Sequence, residues 1–330
     1  MREAILNFSK QFAFDPKVEN SKKLSRHSGI PLAAGKKFKK FVVCGMGGSQ
    51  LAVDILKKLD SSLDVVSYRD YGLPELVDLN QRLIILSSYS GNTEEVLSSL
   101  KMALKRKLSV VAIAVGGKLL AEAKKNNIPY VEMPNTNIQP RCALGFSLRG
   151  LMKLMGLEKG LKETVKLAKT LKPGELERAG KDLANKLRGM VPVVYASREN
   201  YCLALISKIK FNENGKIPAF YNVFPELNHN EMNGMDVVIA NKELSKNFCF
   251  IFITDKEDHP RNIKRMQITK ALYEKRGLRV VVLELQGKNK LEKIFSNLLT
   301  IDWTSHYTAL NYGYDSEPVP LVEEFKGLMK

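Results

Sequence analysis

The sequence predicts an α/β fold of two doubly wound parallel sheets packed together, with connecting helices and a closing C-terminal helix. Short unbroken apolar runs alternate with stretches of helical period, the pattern of parallel strands covered by helices on both faces. Two of these runs empty into glycine- and serine-rich loops that open helices, and the same plan then recurs in the second half of the chain.

Residues 1–35 read as an N-terminal segment, expected to be helical. The first domain, residues 36–157, takes strands at 41–44, 65–68, 83–87, 110–115 and 130–132. Helical patterns at 93–106 and 119–126 separate them, and 144–155 reads as a buried helix. A lysine- and leucine-rich helical connector follows over 158–190, interrupted by Pro173-Gly174. The second domain, residues 191–330, takes strands at 191–197, 219–222, 248–254 and 279–285. Its helices fall at 201–212, 260–276 and 291–312, and a short helix at 321–329 closes the chain. Ligands of such folds bind in crevices outside the strand ends.

A chain of 330 residues accommodates two domains with sizeable cores. Apolar content of 44% and charged content of 26% are those of a globular protein. No apolar run is long enough to span a bilayer, and Met1-Arg2-Glu3-Ala4-Ile5 lacks the core of a signal peptide, so a cytoplasmic location is expected. Cys44, Cys142, Cys202 and Cys249 stand singly in apolar surroundings and read as core residues. The net charge of +17 admits nucleic acid, an anionic membrane surface or phosphorylated substrates as partners. The lysines, such as Lys57-Lys58 and Lys124-Lys125, are dispersed at helical spacing without interleaved aromatics. They predict a solvated basic surface, with neither nucleic acid nor membrane as partner and with inward steering of dianions as a secondary benefit.

The most informative stretch is Leu83-Ile84-Ile85-Leu86-Ser87-Ser88-Tyr89-Ser90-Gly91-Asn92-Thr93-Glu94-Glu95. A buried strand runs into a loop whose hydroxyls, Ser88, Ser90 and Thr93, converge on a helix N-terminus. That end offers unpaired N–H groups and partial positive charge, which suit a phosphate monoester. The same residue types also make an ordinary strand-to-helix turn. A second loop favours the phosphate: strand 41–44 leads through Gly45-Met46-Gly47-Gly48-Ser49 into a helix. Here Gly47 and Gly48 let backbone approach a ligand and Ser49 adds a hydroxyl. A P-loop would need a Gly-Lys-Ser/Thr ending, and a dinucleotide fold a third glycine and a ribose-binding carboxylate. Neither set is present.

Gly-Met-Gly-Gly-Ser followed by Ser-Tyr-Ser-Gly-Asn-Thr-Glu-Glu resembles the sugar isomerase (SIS) domain. In the second half, Phe211-Asn212-Glu213-Asn214-Gly215-Lys216-Ile217-Pro218-Ala219 and Pro225-Glu226-Leu227-Asn228-His229-Asn230-Glu231-Met232-Asn233-Gly234 resemble the bifunctional phosphoglucose/phosphomannose isomerases of archaea and some bacteria. The ending Glu323-Glu324-Phe325-Lys326 is similar too, so the resemblance spans nearly the whole chain. It implies two SIS domains and an isomerase acting on phosphorylated hexoses. Gly47, Gly48, Ser49, Ser88, Ser90 and Thr93 would bind phosphate, and Glu213 would be the catalytic base. His229, contributed across a homodimer interface, and Lys326 would open the sugar ring, while Arg141 would stabilise the enediolate.

Read without the resemblance, these residues say less. A carboxylate at a helix C-terminus, like Glu213, is slightly unfavourable against the dipole and so mildly suggestive of function. His229 would be a loop histidine, Lys326 a solvated lysine, and Arg141 an anion-binding or salt-bridging residue alike. His27 and His259 read as surface residues, and His306 as packed beside Trp303. No metal-ligand set is apparent, so neither a metal nor an organic cofactor is expected, and a cis-enediolate would have to link the glucose and mannose epimers. Glu317 stands where the family pattern has a small hydroxyl residue, which bears on dual specificity. The rival readings are a noncatalytic sugar-phosphate sensor, which would not need Glu213 or His229, and a single-specificity isomerase.

Overall fold

The computed structural model describes residues 1–20 and 38–329. The chain divides into two compact units: Asn7–Thr170, here the N-terminal unit, and Leu171–Lys330 joined by Met1–Leu6, here the C-terminal unit. The boundary therefore falls inside the stretch read as a connector. The first helix, α1 (Arg2–Leu6), belongs to the C-terminal unit, and a 3-10 turn over Phe8–Ala13 opens the other. Residues 14–20 of the segment expected to be helical are not helical, and the rest of it, His27 included, lies outside the described residues.

The N-terminal unit is a parallel sheet of five strands, β1 (Lys40–Gly45), β2 (Asp64–Tyr68), β3 (Leu83–Ser87), β4 (Val110–Ala114) and β5 (Tyr130–Glu132). Its order is β2-β1-β3-β4-β5, with Phe41 in register with Val65 on one side and Leu83 on the other. Val42, Val43, Ile84, Ile85, Val111 and Ile113 are fully buried, as strands covered on both faces require. The covering helices are α2 (Gly48–Leu59), α3 (Glu94–Lys105), α4 (Gly117–Lys125) and α5 (Leu144–Leu154). Helices α6 (Glu158–Thr164) and α7 (Leu167–Thr170) complete the unit. Arg149 is buried on α5, donating to Leu161 O at 2.9 Å and Thr164 Oγ1 at 2.8 Å, and so ties α6 to the unit's core.

The C-terminal unit opens with a 3-10 turn over Pro173–Leu176 and α8 (Glu177–Lys186). Its four parallel strands are β6 (Val191–Ser197), β7 (Phe220–Phe224), β8 (Phe248–Thr254) and β9 (Arg279–Glu284), ordered β7-β6-β8-β9. The helices are α9 (Tyr201–Glu213), α10 (Lys242–Ser245), α11 (Pro260–Lys275), α12 (Lys290–Asn311) and α13 (Pro320–Leu328). An aromatic core fills one sheet face: Tyr195, Phe224, Phe250, Phe252 and Tyr273, with Phe250 and Tyr273 ring centroids 4.6 Å apart. Trp303 on α12 is fully buried and donates its indole N–H to Pro173 O at 2.8 Å, which fixes the 3-10 turn to this unit.

In both units the chain leaves a central strand to one edge and then crosses to the other side. Each thus has a topological switch point, between β1 and β3 and between β6 and β8, where ligands of open α/β sheets bind.

Candidate active site

The two hydroxyl-bearing loops lie at the N-terminal unit's switch point. The loop after β1 turns through Gly47, at φ +48°, into α2. A Cβ on Gly48 would sit 2.6 Å from Arg141 N and 2.7 Å from Pro140 C, so glycine lets this loop rest against the backbone that carries Arg141. Ser49 is buried and its Oγ accepts the Tyr89 N–H at 2.9 Å, while Ser87 Oγ donates to Ser49 O at 3.0 Å. These bonds lock the β1 loop to the β3 loop.

The β3 loop is held as tightly. Ser88 Oγ accepts the Gly91 N–H at 3.0 Å and lies 2.7 Å from Thr93 Oγ1, and Ser90 Oγ accepts the Asn92 N–H at 3.2 Å. Gly91 has φ +71°, and a Cβ there would fall 1.9 Å from Gly116 O. Gly91 O in turn accepts the Leu119 N–H at 2.8 Å, and Asn92 Oδ1 the Lys118 N–H at 3.0 Å. Thr93 is the N-cap of α3, yet its side chain bonds Ser88 and makes no cap bond, and Gly47 at the N-cap of α2 has no side chain to give. Two helix N-termini, with first-turn donors left uncapped by their N-cap side chains, thus meet at one switch point beside Ser49, Ser88, Ser90 and Thr93. That arrangement can hold a dianionic oxygen cluster. Arg141 lies at the start of α5 in a 3-10 turn, its side chain buried, with Nη1 donating to Gln139 Oε1 at 3.3 Å.

At the C-terminal unit's switch point the same place is filled from within. Asp258, on the loop after β8, accepts from Ser197 Oγ and, at 2.9 Å, from Asn200 Nδ2, both at the entry to α9. Its other carboxylate oxygen accepts the Asp255 N–H at 3.1 Å. A buried carboxylate of the protein's own thus stands where the N-terminal unit places hydroxyl side chains.

The remaining predicted residues are on the C-terminal unit. Glu213 is the last residue of α9 and is partly exposed. Lys216, at φ +57°, donates to Glu213 O at 2.5 Å and also to Pro318 O, joining the end of α9 to the approach of α13. His229 is exposed at the end of the 3-10 turn Glu226–His229. Its neighbours hold that turn: Leu227 is fully buried, Asn228 Nδ2 donates to Thr269 Oγ1 at 2.9 Å, and Glu231 accepts from Tyr195 Oη and Asn222 Nδ2. Lys326 is exposed on α13, 2.8 Å from Glu323 Oε1. The structure therefore gathers Gly47, Gly48, Ser49, Ser88, Ser90, Thr93 and the Arg141 backbone in one unit. Glu213, His229 and Lys326 stand on three different elements of the other.

Sequence reasoning missed the fully buried ion pair of Lys210 on α9 with Asp302 on α12, at 2.6 Å. The signal was there: α9 buries Leu203, Ala204, Ile206 and Phe211 around most of its circumference, and a lysine on such a helix has to be paired. Among the described residues no group of three or more His, Cys, Asp or Glu side chains could hold a metal ion, and no helix is long and apolar enough to cross a membrane.

A pair of parallel-sheet units, one with two hydroxyl-bearing loops meeting at its switch point, is the arrangement of a SIS-domain protein. Residues 176–329 match the family model described as the bacterial phospho-glucose isomerase C-terminal SIS domain. The chain is 35% identical over 297 residues to a bifunctional phosphoglucose/phosphomannose isomerase of Aquifex aeolicus, covering 89% of this chain and 91% of that one. It is 34% identical over 343 residues to a protein of the same name from Caldicellulosiruptor bescii, covering 99% and 98%. Among solved structures, a glucosamine-6-phosphate deaminase of Thermotoga maritima shares the fold with a TM-score of 0.65 at 16% identity, over 96% of this chain and 97% of that one. The chain belongs to the bifunctional phosphoglucose/phosphomannose isomerase family, whose members are aldose–ketose isomerases.

Proposed function

We propose that this protein interconverts glucose 6-phosphate and mannose 6-phosphate with fructose 6-phosphate through a cis-enediolate, without a metal. It does so as a cytoplasmic homodimer. The observation that carries the reading is the convergence of the two hydroxyl-bearing loops at the N-terminal unit's switch point, in a chain of this family. The filling of the other switch point by Asp258 supports a single phosphate site per chain.

In this reading Ser49, Ser88, Ser90 and Thr93, with the N–H groups of Gly47 and Gly48, hold the phosphate dianion. His229, reaching in from the partner subunit, and Lys326 move protons between the ring oxygen and the anomeric hydroxyl to open the ring. Glu213 then takes the proton from C2 of the aldose and returns it to C1, giving the ketose. Negative charge develops on the substrate oxygens in between, and the Arg141 guanidinium stabilises it. Rotation about C2–C3 in the enediolate presents either face to Glu213, which connects the two epimers through one base.

The test is Glu213→Gln, which keeps the shape and removes the base. A general base contributes about 10²–10⁴-fold, so kcat should fall by that order while phosphosugar binding stays within a few-fold of the parent. Retained turnover would remove Glu213 from its role. Loss of turnover in the parent itself, with binding intact, would favour the sensor.

A further inference from the structure

Glu213 sits on the last turn of a helix, where a chain end ordinarily frays. The turn that bears it is anchored at both of its ends to one residue of α12. Lys210, fully buried, places its ammonium 2.6 Å from Asp302 Oδ1. Asn214, also fully buried, directs Nδ2 to Asp302 Oδ1 at 3.4 Å and to Ser305 Oγ at 3.3 Å. The backbone repeats the closure: Lys210 O accepts the N–H groups of Asn214 at 2.8 Å and Gly215 at 3.1 Å.

We infer that Lys210, Asp302 and Asn214 are positioning residues for Glu213, holding its carboxylate in the geometry of proton transfer. The inference rests on the reading of Glu213 as the base. Stability gives a poor account of the pair, because a buried ion pair replaced as a whole by apolar residues of similar volume is often no less stable. Removing one partner alone leaves a buried charge uncompensated, so single variants confuse folding with positioning. The double replacement separates the two, since it removes the buried charges together with Asn214's tie to Asp302. A shift of about 1 Å in a reacting group can cost on the order of 100-fold in rate.

The experiment measures thermal midpoint, kcat and KM for fructose 6-phosphate in Lys210→Met, Asp302→Leu, the double variant and Glu213→Gln. Both single variants should lose thermal stability. The double should recover most of it, yet keep a kcat at least about tenfold below the parent, with KM changed by less than about threefold. A double variant with parental kcat would show the pair to be structural only and overturn the inference. Ser305→Ala carries the test if the double does not fold, because it removes Asn214's second partner and leaves no charge exposed to the core. There kcat should fall several-fold at unchanged KM, and parental kcat would again overturn the inference. Turnover surviving in Glu213→Gln would instead sink the assignment of the base, and this inference with it.

Discussion

Ser88 shows how much of the site can be decided by single side chains. Its hydroxyl already accepts the Gly91 N–H and meets Thr93 Oγ1, so it is oriented before any ligand arrives. Ser88→Ala should raise KM for fructose 6-phosphate by about 10- to 100-fold, the worth of one hydrogen bond to a charged group at about 1.5–3 kcal/mol, with a smaller effect on kcat. Steady-state kinetics checks it; an unchanged KM would place the phosphate elsewhere. His306 is a second case. It is buried with Trp303 and Tyr307 for neighbours, with Nδ1 2.7 Å from Ser316 Oγ, and desolvation lowers its pKa from the usual 6.5. Just below pH 6.5 the unfolded chain therefore binds a proton that the folded chain refuses. Stability should fall as pH drops from about 7 through about 6 and level off below the lowered value, and His306→Gln should flatten that part of the curve. Urea midpoints across the range would show it. Ser88, Thr93 and the packing of His306 were legible in the sequence because residue type and setting agreed. For Lys210 the apolar faces of α9 signalled that it needs a partner, but not which one, because Asp302 lies 92 positions away.

At the scale of elements, the serine loop keeps its shape because it is fastened to the loop after β4. Gly91 is the fastening: its positive φ and its contact with Gly116 O exclude a side chain. Gly91→Ala should cost about 1–3 kcal/mol of stability and weaken phosphosugar binding more than Ser88→Ala does, since the whole loop has to move. A calorimetric titration with glucose 6-phosphate would test this; parental affinity would mean the loop tolerates the shift. The strands at 41–44, 83–87 and 248–254 were readable because burial on both faces leaves continuous apolar runs. The segment 158–190 was harder. Lysine–leucine periodicity reports that a face is buried, and is silent on which core buries it. In the structure α6 and α7 belong to one unit and α8 to the other. At the second switch point Ser197 and Asn200 read in the sequence as a faint echo of the serine loop, and only the fold brings Asp258 onto them.

For the molecule as a whole, a chain of two similar units has its candidate phosphate site on one and its candidate base on the other. The division follows from chemistry as much as from topology. Hydroxyls and helix N-termini suit a phosphate, whereas proton transfer at carbon calls for a carboxylate. The surplus of positive charge, +17, favours arrival of an anionic sugar at either unit. Family membership fixes the class of reaction, and what remains for experiment is whether one metal-free site serves both epimers. The most direct measurement is to incubate EDTA-treated protein with fructose 6-phosphate and resolve the products over time. Glucose 6-phosphate and mannose 6-phosphate should form together, with no stimulation by added divalent metal. Formation of neither product, or formation only after a metal is restored, would contradict the proposed function.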